Sequence, residues 1–290
     1  MISASLPTAT LGRTGLEVTR LGYGTATEGP VSPDRWEKMF NAILDHGINF
    51  IDTSNDYGIG WKRPTEEMIG KFIAHRRDEF YLDTKCGCIP GGHIWTRKNL
   101  FRGLHESLER LRTDYVDVMQ LHNPTVDECR EGNLVRALND MREQGKVRWI
   151  GVTTALPHLP TFLQWNVFDV FQLQYSILER EHEDWITQAA EAGAGIIVRG
   201  GSGSGELSDG RDDTERRQMY DQAKLDQLRP PTETRATFIL RHTLNHPHIH
   251  TIIQGTTKVE HLSENIASAL RGPLPDDLHA QVNQRLGKQS

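Results

Sequence analysis

The feature that most constrains the fold of this 290-residue chain is a repeated alternation of short apolar strands and amphipathic helices. The predicted strands are Thr19–Thr25, Asn49–Ile51, Phe80–Thr84, Val116–Leu121, Val147–Val152, Val170–Leu173, Ile196–Val198 and Thr251–Ile253. Most of them are apolar throughout, a pattern typical of strands that are covered on both faces. Eight strands, most followed by a helix, predict an α/β fold that closes into a (β/α)8 TIM barrel. An open doubly wound sheet is the alternative.

Local signals mark where the helices begin and end. Ser32, Pro33 and Asp34 combine an N-cap, a proline at the first helical position and an early acidic residue, so they predict a helix start. That helix is expected to end at Gly47, just before the next strand. Short alternating segments around Arg13–Gly15 predict an N-terminal β-hairpin. The first strand carries no G-x-G-x-x-G motif, which argues against a Rossmann unit.

Length and composition narrow the class of protein. A chain of 290 residues suggests about two domains, but (β/α)8 barrels often reach this size as one unit, so we expect residues 1–290 to form a single barrel domain. The net charge of -6 is not concentrated in one block, which favours a small-molecule substrate over nucleic acid or a membrane as partner. The oligomeric state is not readable. Three cysteines and an N-terminus without an apolar signal core predict a cytoplasmic protein.

Four side chains that can transfer protons or hold charge follow three consecutive predicted strands. Asp52 and Tyr57 follow the second strand, Lys85 ends the third and His122 ends the fourth. Because a barrel collects its functional groups at the carboxyl ends of its strands, we expect these side chains to face one spot. The alternative is local: Asp52 caps a turn, Tyr57 is a half-buried loop residue, and the lysine and histidine are satisfied core groups.

Several motifs in chain order make the sequence resemble the aldo-keto reductase superfamily. They are Leu11-Gly-Arg-Thr-Gly-Leu-Glu-Val18, Gly22-Tyr-Gly-Thr25, Asp52-Thr-Ser-Asn-Asp-Tyr57-Gly58, Thr84-Lys85, Leu121-His122, Gly145-Lys-Val-Arg-Trp-Ile-Gly151-Val152 and Gly255-Thr-Thr-Lys-Val-Glu-His-Leu-Ser-Glu-Asn265. The resemblance implies a barrel whose bottom is closed by the hairpin, and NADPH-dependent reduction of aldehydes or ketones. It also implies that Asp52, Tyr57, Lys85 and His122 are the catalytic residues.

The resemblance gives each of the four residues a role. Tyr57 is the expected proton donor to the carbonyl oxygen that receives the hydride. A phenol has a pKa of about 10, and the Lys85 ammonium is expected to lower it. Asp52 would hold the lysine in place, and His122 would orient the substrate oxygen.

The cofactor residues also follow from the resemblance. Gly24, Thr25 and Asp52 lie at the mouth, and Gln172 matches a contact to the nicotinamide carboxamide. Thr153 and Thr154 replace the usual Ser-Asn pair, which keeps a hydroxyl and loses the amide. The segment after the seventh strand is expected to bind pyrophosphate through backbone amides, although a flexible linker is the alternative. Its candidate residues are Arg199, Gly200, Gly201, Gly203, Gly205 and Leu207, with Ser202 and Ser204 as weaker candidates.

The segment Gly255–Asn265 resembles the site for the adenosine 2'-phosphate. Its candidate residues are Gly255, Thr256, Thr257, Lys258, His261, Glu264 and Asn265. The start of a helix near Val259 would also favour an anion. His261 stands where many family members carry arginine, so NADP is expected as the cofactor and NAD is possible.

The last predictions concern the residues of the substrate pocket and the alternative functions of the protein. Candidate pocket residues are Trp61, Cys86, Ile94, Trp95 and Asn123. No metal is expected: the cysteines of Cys86-Gly-Cys88 lack further ligands, and His246-Pro-His248-Ile-His250 precedes the eighth strand, at the face where barrels place stabilising residues, so a histidine-rich surface turn is expected there. The alternatives are a nicotinamide-binding accessory or sensor protein with vestigial activity, and a metal-dependent barrel hydrolase.

Overall fold

The fold is a closed barrel of eight parallel strands. The computed structural model describes residues 5–27, 29–61, 64–203 and 215–287. The strands are β1 (Thr8–Thr10), β2 (Glu17–Thr19), β3 (Leu21–Gly24), β4 (Phe50–Asp52), β5 (Tyr81–Cys86), β6 (Cys88–Ile89), β7 (Gly92–His93), β8 (Val116–His122), β9 (Val147–Thr153), β10 (Val170–Gln174), β11 (Gly195–Arg199) and β12 (Thr251–Gln254). The barrel order is β3-β4-β5-β8-β9-β10-β11-β12, closing on β3. This confirms the predicted barrel and excludes the open sheet.

Helices follow most of the barrel strands and cover the outside of the sheet. They are α1 (Pro33–Asp45), α2 (Thr65–Phe72), α3 (Arg97–Leu111), α4 (Val126–Glu131), α5 (Leu134–Glu143), α6 (Leu159–Trp165), α7 (Glu183–Glu191), α8 (Glu215–Gln222), α9 (Arg235–Thr243), α10 (Val259–Arg271) and α11 (Asp276–Leu286). The start of α1 is as predicted, since the Ser32 side chain accepts a hydrogen bond from the Arg35 amide. No helix in the described ranges is long and apolar enough to cross a membrane.

The first predicted strand is divided in the structure. Thr19 pairs with Thr8 in the β1–β2 hairpin, and the barrel strand begins only at Leu21. Arg20 joins the two sheets: its amide donates to Pro7 of the hairpin, and its carbonyl accepts from Ile252 of β12. The apolar run was therefore correctly identified, but its first residues belong to a different sheet.

The hairpin closes the amino-terminal end of the barrel, as the family resemblance implied. Leu11, Leu16 and Val18 are buried against the first residues of the barrel strands. Gly12 has φ +50, and a Cβ there would lie 2.3 Å from the Gly195 amide nitrogen, so only glycine allows this approach. Because the strands are parallel, all their carboxyl ends meet at the opposite, open end.

Candidate active site

The centre of the open end is an ion pair between two buried side chains. The Lys85 ammonium lies 2.5 Å from Asp52 Oδ1 and 2.8 Å from the Thr53 carbonyl oxygen. Both charged side chains are nearly inaccessible to solvent. A buried charge is tolerated only when it is paired and hydrogen-bonded. Burial alone would lower the pKa of Lys85, but its neighbours, above all the charge of Asp52, outweigh burial and raise that pKa above its usual value, so the lysine stays charged.

A ring of buried polar side chains supports this ion pair. Gln172 donates its amide to Asp52 Oδ1 at 2.6 Å. The Thr153 hydroxyl lies 3.1 Å from the amide oxygens of both Gln172 and Gln120. Gln120 in turn donates to Asp83, which lies beside Asp52. Because Asp83 lies beside Asp52, these contacts form a closed ring in which each side chain restrains its neighbours.

Asp83 is the member of the ring that sequence reasoning missed. It is fully buried, and burial, reinforced by the charge of Asp52, raises the pKa of its carboxyl well above the usual value. Its Oδ1 accepts no hydrogen bond from the described residues, and the Asp83 side chain lies within hydrogen-bonding reach of Asp52. A neutral Asp83 can therefore donate to Asp52. The available signal was its spacing, because Asp83 lies two residues before Lys85 and residues i and i+2 share one face of a strand.

Tyr57 lies beside the lysine. The ammonium is 5.3 Å from the centre of the Tyr57 ring. Lys85 lowers the pKa of the phenol, as predicted, but burial has the larger effect, so the net shift is upward. The expected net lowering is therefore wrong for the protein alone. The phenol remains fully protonated at neutral pH and has a proton to give.

His122 completes the group of four at the end of β8. Its Nδ1 lies 3.0 Å from Cys88 Sγ and 3.3 Å from Ser54 Oγ. Burial is the main reason that the pKa of His122 falls to about 4, and the positive charge of Lys85 adds to it, so the imidazole is neutral at pH 7. In the described part of the chain only Nδ1 has protein partners, which leaves Nε2 available for a ligand.

Most of the candidate cofactor residues at the mouth are buried or hydrogen-bonded within the barrel. Thr25 is buried, and its amide and hydroxyl bond to the Asp52 carbonyl and to Thr53. Gly24 lies next to Gly255, because their strands β3 and β12 are neighbours. Thr154 is buried just after β9. Thr153 and Gln172 belong to the polar ring, although each amide atom of Gln172 retains a second hydrogen-bonding position.

A donor without a partner among the described residues lies at the end of β12, beside the loop after β11. Ser202 donates to the Gln254 amide oxygen at 2.6 Å, while the amide nitrogen of this buried glutamine has no partner among the described residues. Gly201 passes close to Ile252, where a Cβ would lie 2.4 Å from a methyl group. Gly200 and Gly203 both have positive φ angles. Arg199 ends the strand and donates to Gln174. Ser204, Gly205 and Leu207 lie outside the described residues.

The segment after β12 is open to solvent. Thr256 and Thr257 are half-buried, as is Asn265; the exposed candidates are Gly255, Lys258, His261 and Glu264. A surface groove places Lys258 with Arg35 and Lys38 of α1. Sequence reasoning missed these two cations, which lie far from Lys258 in the chain and reach it only because α10 and α1 are neighbours.

The candidate pocket residues differ in exposure and in the direction in which their side chains point. Ile94 is 42% exposed, Asn123 is exposed with φ 60, and Trp95 is half-buried over Gly87 and stacks on His93. The side chain of Trp61 is outside the described residues. Cys86 is fully buried in the apolar layer outside the sheet, so the expectation that it lines the pocket is wrong. It fails because Cys86 is one residue from Lys85 and thus points to the opposite face.

The histidine motif and Cys88 of the cysteine motif lie at opposite ends of the barrel. His250 Nδ1 accepts a hydrogen bond from the Ile196 amide at the start of β11, so this turn lies at the closed end of the barrel. His246 is buried at 8% exposure, contrary to the expected surface turn. Cys88, in contrast, lies at the mouth against His122.

These observations describe an oxidoreductase-like site in a (β/α)8 barrel, and comparison with known proteins identifies the family. The Aldo/keto reductase family profile matches residues 20–286, so the chain belongs to this family. Members of this family are oxidoreductases that use nicotinamide cofactors.

Individual relatives are distant. Over 279 residues the chain is 25% identical to the uncharacterized oxidoreductase YqkF of Bacillus subtilis (strain 168), covering 89% of this chain and 90% of that protein. It is 29% identical over 215 residues to the NADH-specific methylglyoxal reductase of Escherichia coli (strain K12), covering 66% of this chain and 63% of that one. The structure of aldo-keto reductase AKR11C1 from Bacillus halodurans (holo form) matches with a TM-score of 0.86 at 26% identity, over 98% of this chain and 97% of that chain.

Proposed function

We propose that the protein catalyses the reversible reduction of a small aldehyde or ketone to an alcohol, with NADPH as the expected cofactor. The observation that carries this proposal is the buried Lys85–Asp52 ion pair, 2.5 Å long, beside the protonated Tyr57 and the neutral His122. A reduced nicotinamide, when bound, supplies the hydride.

Tyr57 is the proposed general acid. Because burial keeps its proton in place, the phenol gives the proton up only to an oxygen that has become strongly basic. The carbonyl oxygen becomes so as the carbonyl carbon gains the hydride. The Lys85 ammonium, 5.3 Å from the ring centre, then stabilises the phenolate that remains. In the reverse direction this phenolate accepts the proton of the alcohol.

Asp52 and His122 are proposed to position the reacting groups. Asp52 holds the ammonium in one place, and the polar ring holds Asp52. His122 keeps Nδ1 toward Cys88 and Ser54, so its Nε2 can donate a hydrogen bond to the substrate oxygen. A neutral imidazole suits this role, since it adds no further positive charge next to Lys85.

The residues proposed to hold the cofactor fit an anionic dinucleotide. Buried Gln254 has an amide nitrogen without a partner beside the Gly200–Gly203 loop, where backbone amides can approach a pyrophosphate. Lys258, Arg35 and Lys38 line one groove, in which these three cations outnumber the two carboxylates present, and they suit the 2'-phosphate of NADP. Because the relative from Escherichia coli is named as NADH-specific, both cofactors need to be compared.

The test separates cofactor binding from turnover. Purified protein is titrated with NADPH and with NADH while tryptophan fluorescence is followed, and loss of nicotinamide absorbance is then measured with a panel of small aldehydes and ketones. We expect quenching and turnover with at least one carbonyl. Quenching without turnover would favour an accessory or sensor protein. Zinc-dependent hydrolysis without nicotinamide binding would favour the barrel hydrolase.

A further inference from the structure

Three potential metal ligands meet beside the proposed active site. Cys88 and His93 are directly paired across the β6–β7 hairpin, and His122 ends β8. The ligand atoms of these three side chains all lie within 4.8 Å of one another, and no other such group was found in the described ranges. Cys88 Sγ is already 3.0 Å from His122 Nδ1. Two separate parts of the chain thus deliver one sulfur and two ring nitrogens to one point.

We propose that Cys88, His93 and His122 form a reversible binding site for Zn²⁺ or another soft divalent metal ion, and that occupation of this site inhibits the reductase. The inhibitory part rests on the function proposed above, whereas metal binding does not. One thiolate and two imidazoles are a donor set that zinc prefers. With three protein ligands, the fourth position of a tetrahedral ion remains open to water.

To hold the ion, ligand atoms that now lie within 4.8 Å of one another would adjust to separations of roughly 3.3–3.5 Å. Zinc bonds of about 2.3 Å to sulfur and about 2.0 Å to nitrogen separate the two ligand atoms by about 3.5 Å at a tetrahedral angle. The observed 3.0 Å between Cys88 and His122 is a hydrogen-bond distance, so one ring would withdraw by roughly half an ångström. His93 is exposed and stacks on Trp95 with ring centres 5.2 Å apart, which gives the ion a path from solvent and a supported ligand.

Metal binding would conflict with the proposed role of His122. The ion takes Nδ1 in place of the Cys88 contact, and the thiol proton of Cys88 is released to solvent. The ring shift moves Nε2 away from the position where it would meet the substrate oxygen. The ion also adds positive charge near Lys85. Both effects lower turnover without blocking the more distant cofactor groove.

The first experiment measures binding without cofactor or substrate. The full-length protein is titrated with Co²⁺, whose bond to a thiolate produces a charge-transfer absorption band, and Zn²⁺ is then used to displace it. We expect one ion per chain. Cys88→Ala removes the band and weakens zinc binding by more than about 100-fold, the upper end of what an outer-shell change costs. The matched controls Cys129→Ala and Cys86→Ala remove the other two buried thiols and keep the band.

The second experiment links binding to activity. Zn²⁺ should inhibit carbonyl reduction by the wild type, a chelator should restore it, and His93→Ala should shift the inhibition to at least about tenfold higher zinc. His248→Ala, in the distant histidine turn, should leave both readouts unchanged. A band that survives in Cys88→Ala overturns the site. Inhibition of equal strength in His93→Ala overturns the regulatory role. A Co²⁺ band in a protein that reduces no carbonyl supports the site and rejects only the proposed function.

Discussion

The interior of the barrel contains two layers that differ in chemistry although the same strands build both. Near the closed end, Phe50, Val118 and Val170 pack with the hairpin in one apolar cluster. Two residues further along the same strands, Asp52, Gln120 and Gln172 form the polar ring. Each pair points into the barrel because side chains at i and i+2 share a face.

The difference shows how stability and chemistry are separated within one core. We call the apolar cluster near the closed end the lower layer and the polar ring the upper layer. Burying apolar side chains in the lower layer stabilises the fold by about 25 cal/mol per Å². Folding removes the charged side chains of the upper layer from water, which costs free energy. This cost is tolerated only because these side chains hydrogen-bond to one another. Changes in the lower layer should therefore alter the free energy of unfolding alone, whereas changes in the upper layer should alter turnover as well.

The largest effect is expected from Tyr57→Phe. The ring stays and the transferable proton is lost, so kcat should fall by about 100-fold or more. NADPH affinity and the unfolding midpoint should change little, because the phenol is not part of the polar ring. Steady-state kinetics together with fluorescence titration test this. Wild-type turnover in the variant would remove the general-acid role from Tyr57.

Gly12→Ala should act on the closed end alone. Its Cβ would lie 2.3 Å from the Gly195 nitrogen at φ +50, so the free energy of unfolding should fall by about 2–4 kcal/mol. Gly15→Ala is the matched control: φ is +69 but no atom lies within 4 Å of its Cβ, and a loss of about 1 kcal/mol is expected. Chemical denaturation measures both. Equal losses in the two variants would show that backbone strain, and not the close contact, causes the loss in free energy of unfolding.

Asp83 tests whether the upper layer holds a neutral carboxyl. Asp83→Asn replaces a neutral acid by a neutral amide that can still donate to Asp52, so kcat should stay within about threefold. Asp83→Leu leaves the Gln120 amide without this acceptor and should lower kcat by about tenfold, equivalent to about 1.4 kcal/mol. A large loss in the asparagine variant alone would mean that Asp83 works as a carboxylate.

The raised pKa of Asp83 also predicts that the free energy of unfolding depends on pH. Because the folded-state pKa of Asp83 is raised above its unfolded value, its contribution is fully present below the unfolded pKa and is lost as the pH rises through the folded pKa. Asparagine does not titrate. The free energy of unfolding of Asp83→Asn should therefore improve relative to wild type as the pH rises from about 4, the pKa of an unfolded aspartate, toward neutrality. A difference that is constant over this range would contradict a neutral buried acid.

The smallest effect is expected at the cofactor groove, outside both layers. His261 is exposed on α10 near Lys258, and His261→Arg adds a bidentate donor for a 2'-phosphate. The ratio of kcat/KM for NADPH over NADH should rise by about fivefold, or about 1 kcal/mol. His261→Gln is the neutral control. An unchanged ratio in the arginine variant would place the 2'-phosphate elsewhere.

The sequence predicted the lower layer and the outer helices more completely than the upper layer. Apolar periodicity is local, so the strands Val116–Leu121 and Val147–Val152 were found nearly at their observed bounds. Charged residues at strand ends stand out in the sequence because they interrupt apolar runs. Asp83 and Gln120 interrupt such runs equally, yet their importance depends on partners in other strands.

The sequence by itself determined the eight-strand alternation, the hairpin and the delivery of Asp52, Lys85 and His122 to one end of the barrel. These follow from residue periodicity and from the rule that parallel strands end together. Only the tertiary structure decided that Cys86 faces outward while Cys88 meets His122 and His93, that Arg35 and Lys38 join Lys258, and that burial outweighs Lys85 in setting the pKa of Tyr57. The physical reason is that distances between side chains remote in the chain, and the water excluded around them, are set by packing and not by local pattern.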